Sequence, residues 1–352
     1  MTKIRKIAKI IVDVMNHLIL PEAILPHLAG VIVCFHSNSK RQHRSLEGLG
    51  VCNLSPERIL KLIGLLQRRY HLLSFDELAD RADKGKWLRG TALLAFDDGF
   101  KSIYQDLYLS LRAANIPFIV FVNSLVADNS KLLWLQKLSL ILQAGKFREL
   151  FNALADRNWI GCDTIISGTV NPSFLEVREC FIDFYDHQLY SDVFDTLLAR
   201  IGISEEEEAR EADLFLSSEE LWEMRDLCTI GNHTHSHSNI AALTPVLLET
   251  EIKKCNTFIR DLTGKGQLIP FAVPFGPRKY LTKAAMLATK QHCHFVFTAY
   301  GYGNLKARQR QLRRIIGDIL AREDLKDFNQ YVACISDRRR YLFEWASMAF
   351  CK

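Results

Sequence analysis

Residues 91–123 read TALLAFDDGFKSIYQDLYLSLRAANIPFIVFVN. Thr91 to Phe96 and Pro117 to Asn123 are short runs without a charged residue, and Ser102 to Ala114 between them carries a helical pattern. Continuous apolar runs mark strands covered on both faces, and the strand–helix–strand order predicts a mainly parallel sheet or barrel. The first run ends on Asp97-Asp98-Gly99. Two adjacent carboxylates at an apolar strand end are costly unless a metal or hydrogen-bond donors compensate them. The plainer alternative is a solvated Asp-Gly turn.

The same grammar extends in both directions. Val31 to Phe35 is a buried strand ending at His36, and Ser55-Pro56-Glu57 opens a helix with Ser as N-cap and Pro at its first position. Ser74-x-x-Glu77 and Ser217-x-x-Glu220 are capping boxes, and Thr244-Pro245 begins a long helix that Gly264 ends. Further strands are expected at 268–273, 295–298 and 312–316. From 130 to 216 the texture changes to helices over 132–142, 147–155 and 175–198, followed by an acidic run at 205–208 that reads as a solvated face. The expectation is an α/β, barrel-like domain over 31–129 and 217–320 with a helical insertion at 130–216. It is flanked by helical segments at 1–30 and 321–352.

Composition narrows the function classes. Of the 352 residues 48% are hydrophobic and 24% charged, which is ordinary for a globular chain. A net charge of +5 without a concentrated basic face argues against nucleic-acid binding. Nine cysteines, an odd number with no CxxC, fit reduced buried thiols better than a disulfide framework. The basic N-terminal stretch is interrupted by Asp13, Asn16 and His17, unlike a secretory signal, so the cytoplasm is expected. Residues 3–20 have helical periodicity through Ile4, Ile7, Ile11, Met15 and Leu18. That helix either packs on its own domain or rests peripherally on an anionic membrane surface, the first being favoured.

The second chemical cluster is Gly231-Asn232-His233-Thr234-His235-Ser236-His237. On a helical turn His233 and His237 would share a face and converge on one ion, leaving His235 to point elsewhere. An Asp oxygen and two imidazoles suit zinc or a similar divalent ion, with a position left open for water. Trp134 and Trp222 read as helix-packing aromatics, and His292 and His294 as one face of a strand.

Phe96-Asp97-Asp98-Gly99 resembles the first motif, and His233 to His237 the second, of the NodB-homology polysaccharide deacetylases (carbohydrate esterase family four). Phe271-Ala-Val-Pro274-Phe275-Gly276 looks like that family's third motif in its Phe-Ala-Tyr-Pro-Tyr-Gly form. The resemblance covers 90–125 and 217–320. It implies a distorted (β/α) barrel and a hydrolase that removes an N-acetyl group from an amino sugar. Asp98, His233 and His237 would hold a divalent metal, zinc first and cobalt or manganese as other candidates. Asp97 would be the general base, with the Phe275 amide next to Pro274 as oxyanion donor.

Two departures stand out. Ala272 and Val273 occupy the place where many members carry an Arg, and no late Leu-x-His motif follows. Arg314, in a Leu-x-Arg-Ile strand similar to that of the exopolysaccharide subgroup, is the expected substitute. His36 is the expected general acid. The implied partner is a carbohydrate, an N-acetylated amino sugar in a polysaccharide, glycan precursor or lipid-linked saccharide, serving surface-polysaccharide assembly. Alternatives are a deformylase, an O-acetyl esterase or a sugar-binding protein without turnover.

Overall fold

The computed structural model describes residues 30–36, 54–157, 174–184, 187–264, 266–276, 280–299, 304 and 310–316. The expected segments at 1–30 and 321–352, with the proposed membrane helix, lie almost wholly outside these residues. Among the described residues no helix is long and apolar enough to cross a membrane.

β1 (Val31–Phe35) leads through α1 (Pro56–Gln67), β2 (His71–Leu72) and α2 (Phe75–Asp83) to β3 (Thr91–Phe96). A helical stretch, wound as π over Ile103–Tyr108 and continuing as α3 (Leu109–Ala113), connects to β4 (Phe118–Val122). All residues of β1, β3 and β4 are buried. These strands pair in parallel, Cys34 opposite Ala95 and Ala95 opposite Ile119.

Among the described residues the α-helices that follow are α4 (Trp134–Gln143), α5 (Phe147–Ala155), α6 (Phe174–Phe184), α7 (His187–Arg200) and α8 (Glu205–Ala212). α6 and α7 together span the helical stretch expected over 175–198. The acidic run is the first turn of α8, capped by Ser204 and favourably placed at a helix N-terminus. Its first member is no solvated group: Glu205 accepts from the Leu132 amide at 2.9 Å and pairs with buried Lys137 at 2.8 Å.

The chain then returns through α9 (Ser218–Met224), β5 (Cys228–Asn232), α10 (Pro245–Thr263), β6 (Pro270–Ala272), α11 (Lys283–His292), β7 (Phe295–Thr298), β8 (Gln311–Arg313) and β9 (Ile315–Ile316). The caps expected from sequence form: Ser74 and Ser217 make reciprocal capping boxes, and Ser55 and Thr244 each cap a helix opened by proline. His292 ends α11 and pairs with Glu249 at 3.4 Å, while His294 accepts from the Ile269 amide at 3.2 Å, so the two do not share a strand face.

Every strand pairing is parallel, and the order is β8-β7-β6-β5-β4-β3-β1-β9, with β2 beside β3. The two edges of this sheet, β8 and β9, are separated in the chain only by Arg314. One strand therefore straddles the seam, bonding to β7 with its first half and to β1 with its second. The sheet closes into a distorted barrel at that residue.

Alternate residues point inward. Ile32, Leu93, Ile119, Phe121, Phe297 and Leu312 fill the barrel and meet Phe75, Leu78 and Ala82 of α2. The outward set, including Val33, Leu94, Phe96 and Val120, packs against α1 and α3. Gly231 is needed because Phe121 crosses the barrel beside it: a Cβ there would lie 2.5 Å from the ring.

Candidate active site

One step beyond the ends of β1, β3, β4 and β5 the inward positions turn polar: His36, Asp97, Asn123 and His233. The ladder carries on through them. The Asp97 amide donates to the Phe35 carbonyl at 2.9 Å, and the His233 amide to the Val122 carbonyl at 3.0 Å. Arg314 joins the same rim from the seam, its amide donating to the Thr298 carbonyl at 2.7 Å. Side chains far apart in sequence thus share one end of the barrel.

Asp98 Oδ1 lies 3.3 Å from His233 Nε2 and 3.2 Å from His237 Nε2, and all three residues are buried. That oxygen has no aligned hydrogen bond. Around a tetrahedral ion with bonds of about 2.0–2.1 Å, ligand atoms sit roughly 3.3–3.4 Å apart. The observed spacing fits such an ion better than a hydrogen-bonded trio. His233 Nδ1 is 2.9 Å from the Ala272 carbonyl, which makes Nδ1 the donor and leaves Nε2 as a lone pair aimed at Asp98. Burial pushes the Asp98 carboxyl up, but His237 and His233 outweigh it and hold it well below the usual range. Burial also pushes the His237 imidazole down, more than Asp98 lifts it. A carboxylate beside a neutral imidazole is the ligating form.

Residues 233–237 do not form the helical turn expected from their spacing. Thr234 and His237 take left-handed backbone conformations, at φ 67° and 55°. A tight loop, not the i,i+4 face of a helix, brings the imidazoles together. His235 points aside, its Nδ1 2.9 Å from Ser124 Oγ. Asp98 and Phe275 are also left-handed, at φ 68° and 60°. Non-glycine residues tolerate that region only where surrounding structure over-determines them, and such positions gather at functional sites.

Asp97 and Arg314 form a buried bidentate pair at 2.5 and 2.7 Å. Burial pushes the Asp97 carboxyl up, but Arg314, then His233 and His36, more than offset this, so it lies below its ordinary value. The guanidinium also lies 5.2 Å from the centre of the Phe121 ring, for which Gly231 makes room. His36 Nε2 is 4.0 Å and His233 Nε2 3.9 Å from Asp97 Oδ2. Cys34, His36 and Asp97 are themselves close enough to share an ion. Arg314, however, already places a cation on both Asp97 oxygens, which argues against a second one there.

Pro274 is buried, and the Phe275 ring stands edge-on to His237 at 4.5 Å between centroids. The insertion reaches this rim. The Trp134 indole donates to the His237 carbonyl at 3.4 Å and lies 6.1 Å from Phe275, and Arg178 of α6 sits 6.0 Å from the same ring. Trp222, by contrast, is half exposed, with Arg225 stacked on it at 4.0 Å.

Three supporting residues escaped the sequence reading. Asn123 donates to the His233 carbonyl at 2.5 Å, and Asn232 accepts from the Thr234 amide at 2.7 Å. Glu251 accepts from Ser236. Each had a signal: Asn123 and Asn232 are polar ends of apolar strands, and Glu251 is an acid in the buried stripe Leu248, Ile252, Cys255.

The polysaccharide deacetylase family model matches residues 205–294, a stretch that takes in His233, His237 and Pro274 but not Asp97 and Asp98. No curated protein matches the chain. Among solved structures, the chain is similar to IcaB from Ammonifex degensii at 16% identity and TM-score 0.52, over 87% of this chain and 96% of that one. It is similar to a de-N-acetylase from Aggregatibacter actinomycetemcomitans at 14% identity and TM-score 0.52, over 86% and 99%. The deacetylase PplD of Streptococcus pyogenes matches at 12% identity and TM-score 0.50, over 82% and 92%. At such identities these likenesses speak for the fold alone, an α/β barrel.

Proposed function

We propose that the chain is a polysaccharide deacetylase of the NodB-homology type, a reading supported by the family model over 205–294, and that it removes the N-acetyl group from an amino sugar in a polysaccharide, glycolipid or glycan precursor. Asp98, His233 and His237 hold a divalent ion, zinc first among candidates. The observation that carries this is the 3.2–3.3 Å convergence of Asp98 Oδ1 with two imidazole nitrogens, one of them oriented by the Ala272 carbonyl. Bound there, the ion would acidify a water and polarise the acetamide carbonyl.

The remaining steps belong to the chain's own side chains. Asp97, kept ionised by Arg314, takes the proton from the attacking water as its oxygen adds to the carbonyl carbon. Each carboxylate oxygen has two acceptor sites, so Oδ2 can serve Arg314 and the water together. The Phe275 amide donates to the carbonyl oxygen as it becomes an oxyanion, and the preceding Pro274 has no amide to give. His36 then donates a proton to the sugar nitrogen as the carbon–nitrogen bond breaks, leaving acetate and a free amine. The barrel is assigned to 31–129 and 217–320, the insertion to 130–216, and the enzyme to the cytoplasm or the inner face of the membrane.

The test is mass spectrometry of N-acetylated glycan precursors incubated with purified protein, alongside Asp97→Asn. Loss of an acetyl mass with wild type, and its absence with an Asp97→Asn protein that still binds metal, supports the reading. Wild-type protein that binds no metal, or releases no acetate from any candidate, overturns it.

A further inference from the structure

Glu251 is a carboxylate in the middle of α10, only 2% exposed, and no step above uses it. Its Oε2 accepts from the Ser236 amide at 2.8 Å and its Oε1 from the Ser236 hydroxyl at 2.9 Å. That hydroxyl lies 2.8 Å from the Ser238 hydroxyl. The carboxylate therefore grips Ser236 directly and, through that hydroxyl, reaches Ser238 on the other side of His237. The loop it grips is strained, with left-handed Thr234 two residues before Ser236 and left-handed His237 one after it. The entry to the loop is held by the same helix: Asn232 donates to the Ile252 carbonyl at 2.9 Å and to Asn256 Oδ1 at 2.7 Å.

We propose that Glu251 is a positioning residue that holds the 233–238 loop in its left-handed form and so presents His237 Nε2 to the ion. This rests on the assignment of Asp98, His233 and His237 as ligands. Without the carboxylate, the buried Ser236 amide loses its acceptor, and the long 3.4 Å bond from the Trp134 indole to the His237 carbonyl is left to oppose relaxation of the loop at His237. Groups that orient ligands from behind typically change metal affinity by about 10–100-fold.

The experiment compares Zn2+ affinity, by competition with a chromophoric chelator, for wild type, Glu251→Ala, Glu251→Gln and Leu150→Ala. Leu150 is a fully buried core residue of the helical insertion and controls for general destabilisation. Glu251→Ala is expected to bind about 10–100-fold more weakly than wild type. Glu251→Gln, which keeps one acceptor oxygen, falls between them, and Leu150→Ala matches wild type. A loss in Glu251→Ala no greater than in Leu150→Ala overturns the proposal. If wild type binds no ion, the ligand assignment fails instead, and amide exchange on the metal-free proteins decides the loop. Faster exchange over 233–238 in Glu251→Ala than in Leu150→Ala sustains the positioning role; equal protection ends it.

Discussion

Replacing Arg314 with Met removes a cation from the seam of the barrel while keeping an unbranched side chain to fill its place. Arg314 is 0% and Asp97 3% exposed, so neither charge has water to fall back on. Their two charge-assisted hydrogen bonds, at 2.5 and 2.7 Å, are each worth about 1.5–3 kcal/mol. Orphaning one partner of a buried pair costs about 3–5 kcal/mol by an independent route. Urea unfolding of metal-free protein should therefore show Arg314→Met less stable by about 3–5 kcal/mol at pH 7.

The pH dependence has a definite sign. In the wild type Asp97 titrates below its ordinary value. Its contribution is complete above about pH 3.9 and is lost as pH falls through the lower folded value. In Arg314→Met burial dominates and the carboxyl titrates above that value, so the penalty at neutral pH shrinks as acid protonates Asp97. The double variant Arg314→Met/Asp97→Asn should cost clearly less than the sum of the single changes. A destabilisation under about 1 kcal/mol, or additivity of the two changes, would refute a tightly coupled buried pair.

Other expectations follow from the same geometry. His36→Ala should lower kcat by about 100-fold or more while leaving metal stoichiometry intact, and unchanged kcat removes it as the acid. Gly231→Ala drives a methyl into Phe121; the resulting overpacking should cost about 1–3 kcal/mol in thermal or urea unfolding, whereas wild-type stability would deny the close approach. For His237, whose folded pKa is depressed by burial, protonation favours the unfolded chain. Metal-free stability should thus decline as pH falls below about 6.5, and His237→Gln should flatten that decline in a pH series of unfolding curves.

Much of the barrel was legible locally. Apolar runs of five or six residues can only be strands covered on both sides, and Ser-x-x-Glu and Ser/Thr-Pro signals place helix starts because they satisfy free amides. The insertion's helices over 132–142, 147–155 and 175–198 were legible as helical stretches, whereas α8 read only as an acidic run. The role of Glu205 was not legible, since Lys137, which Glu205 meets, is 68 residues away in sequence. Spacing also misled at His233 and His237, where an i,i+4 interval suggested a helix and the backbone instead takes two left-handed steps.

By itself the sequence determined which residues are candidates for chemistry and in what order the strands come, since both depend on residue type and on contacts within a few positions. It singled out Asp97 and Asp98 as a pair in need of compensation, with a solvated Asp-Gly turn as the alternative, and His233 and His237 as partners. Tertiary structure decided which of these side chains stand beside one another. Arg314 lies 217 residues from Asp97, and only closure of the sheet at that residue makes them neighbours. Glu251 is one acid among many until α10 packs against the loop. Long-range partners are set by register and curvature, which no local pattern encodes.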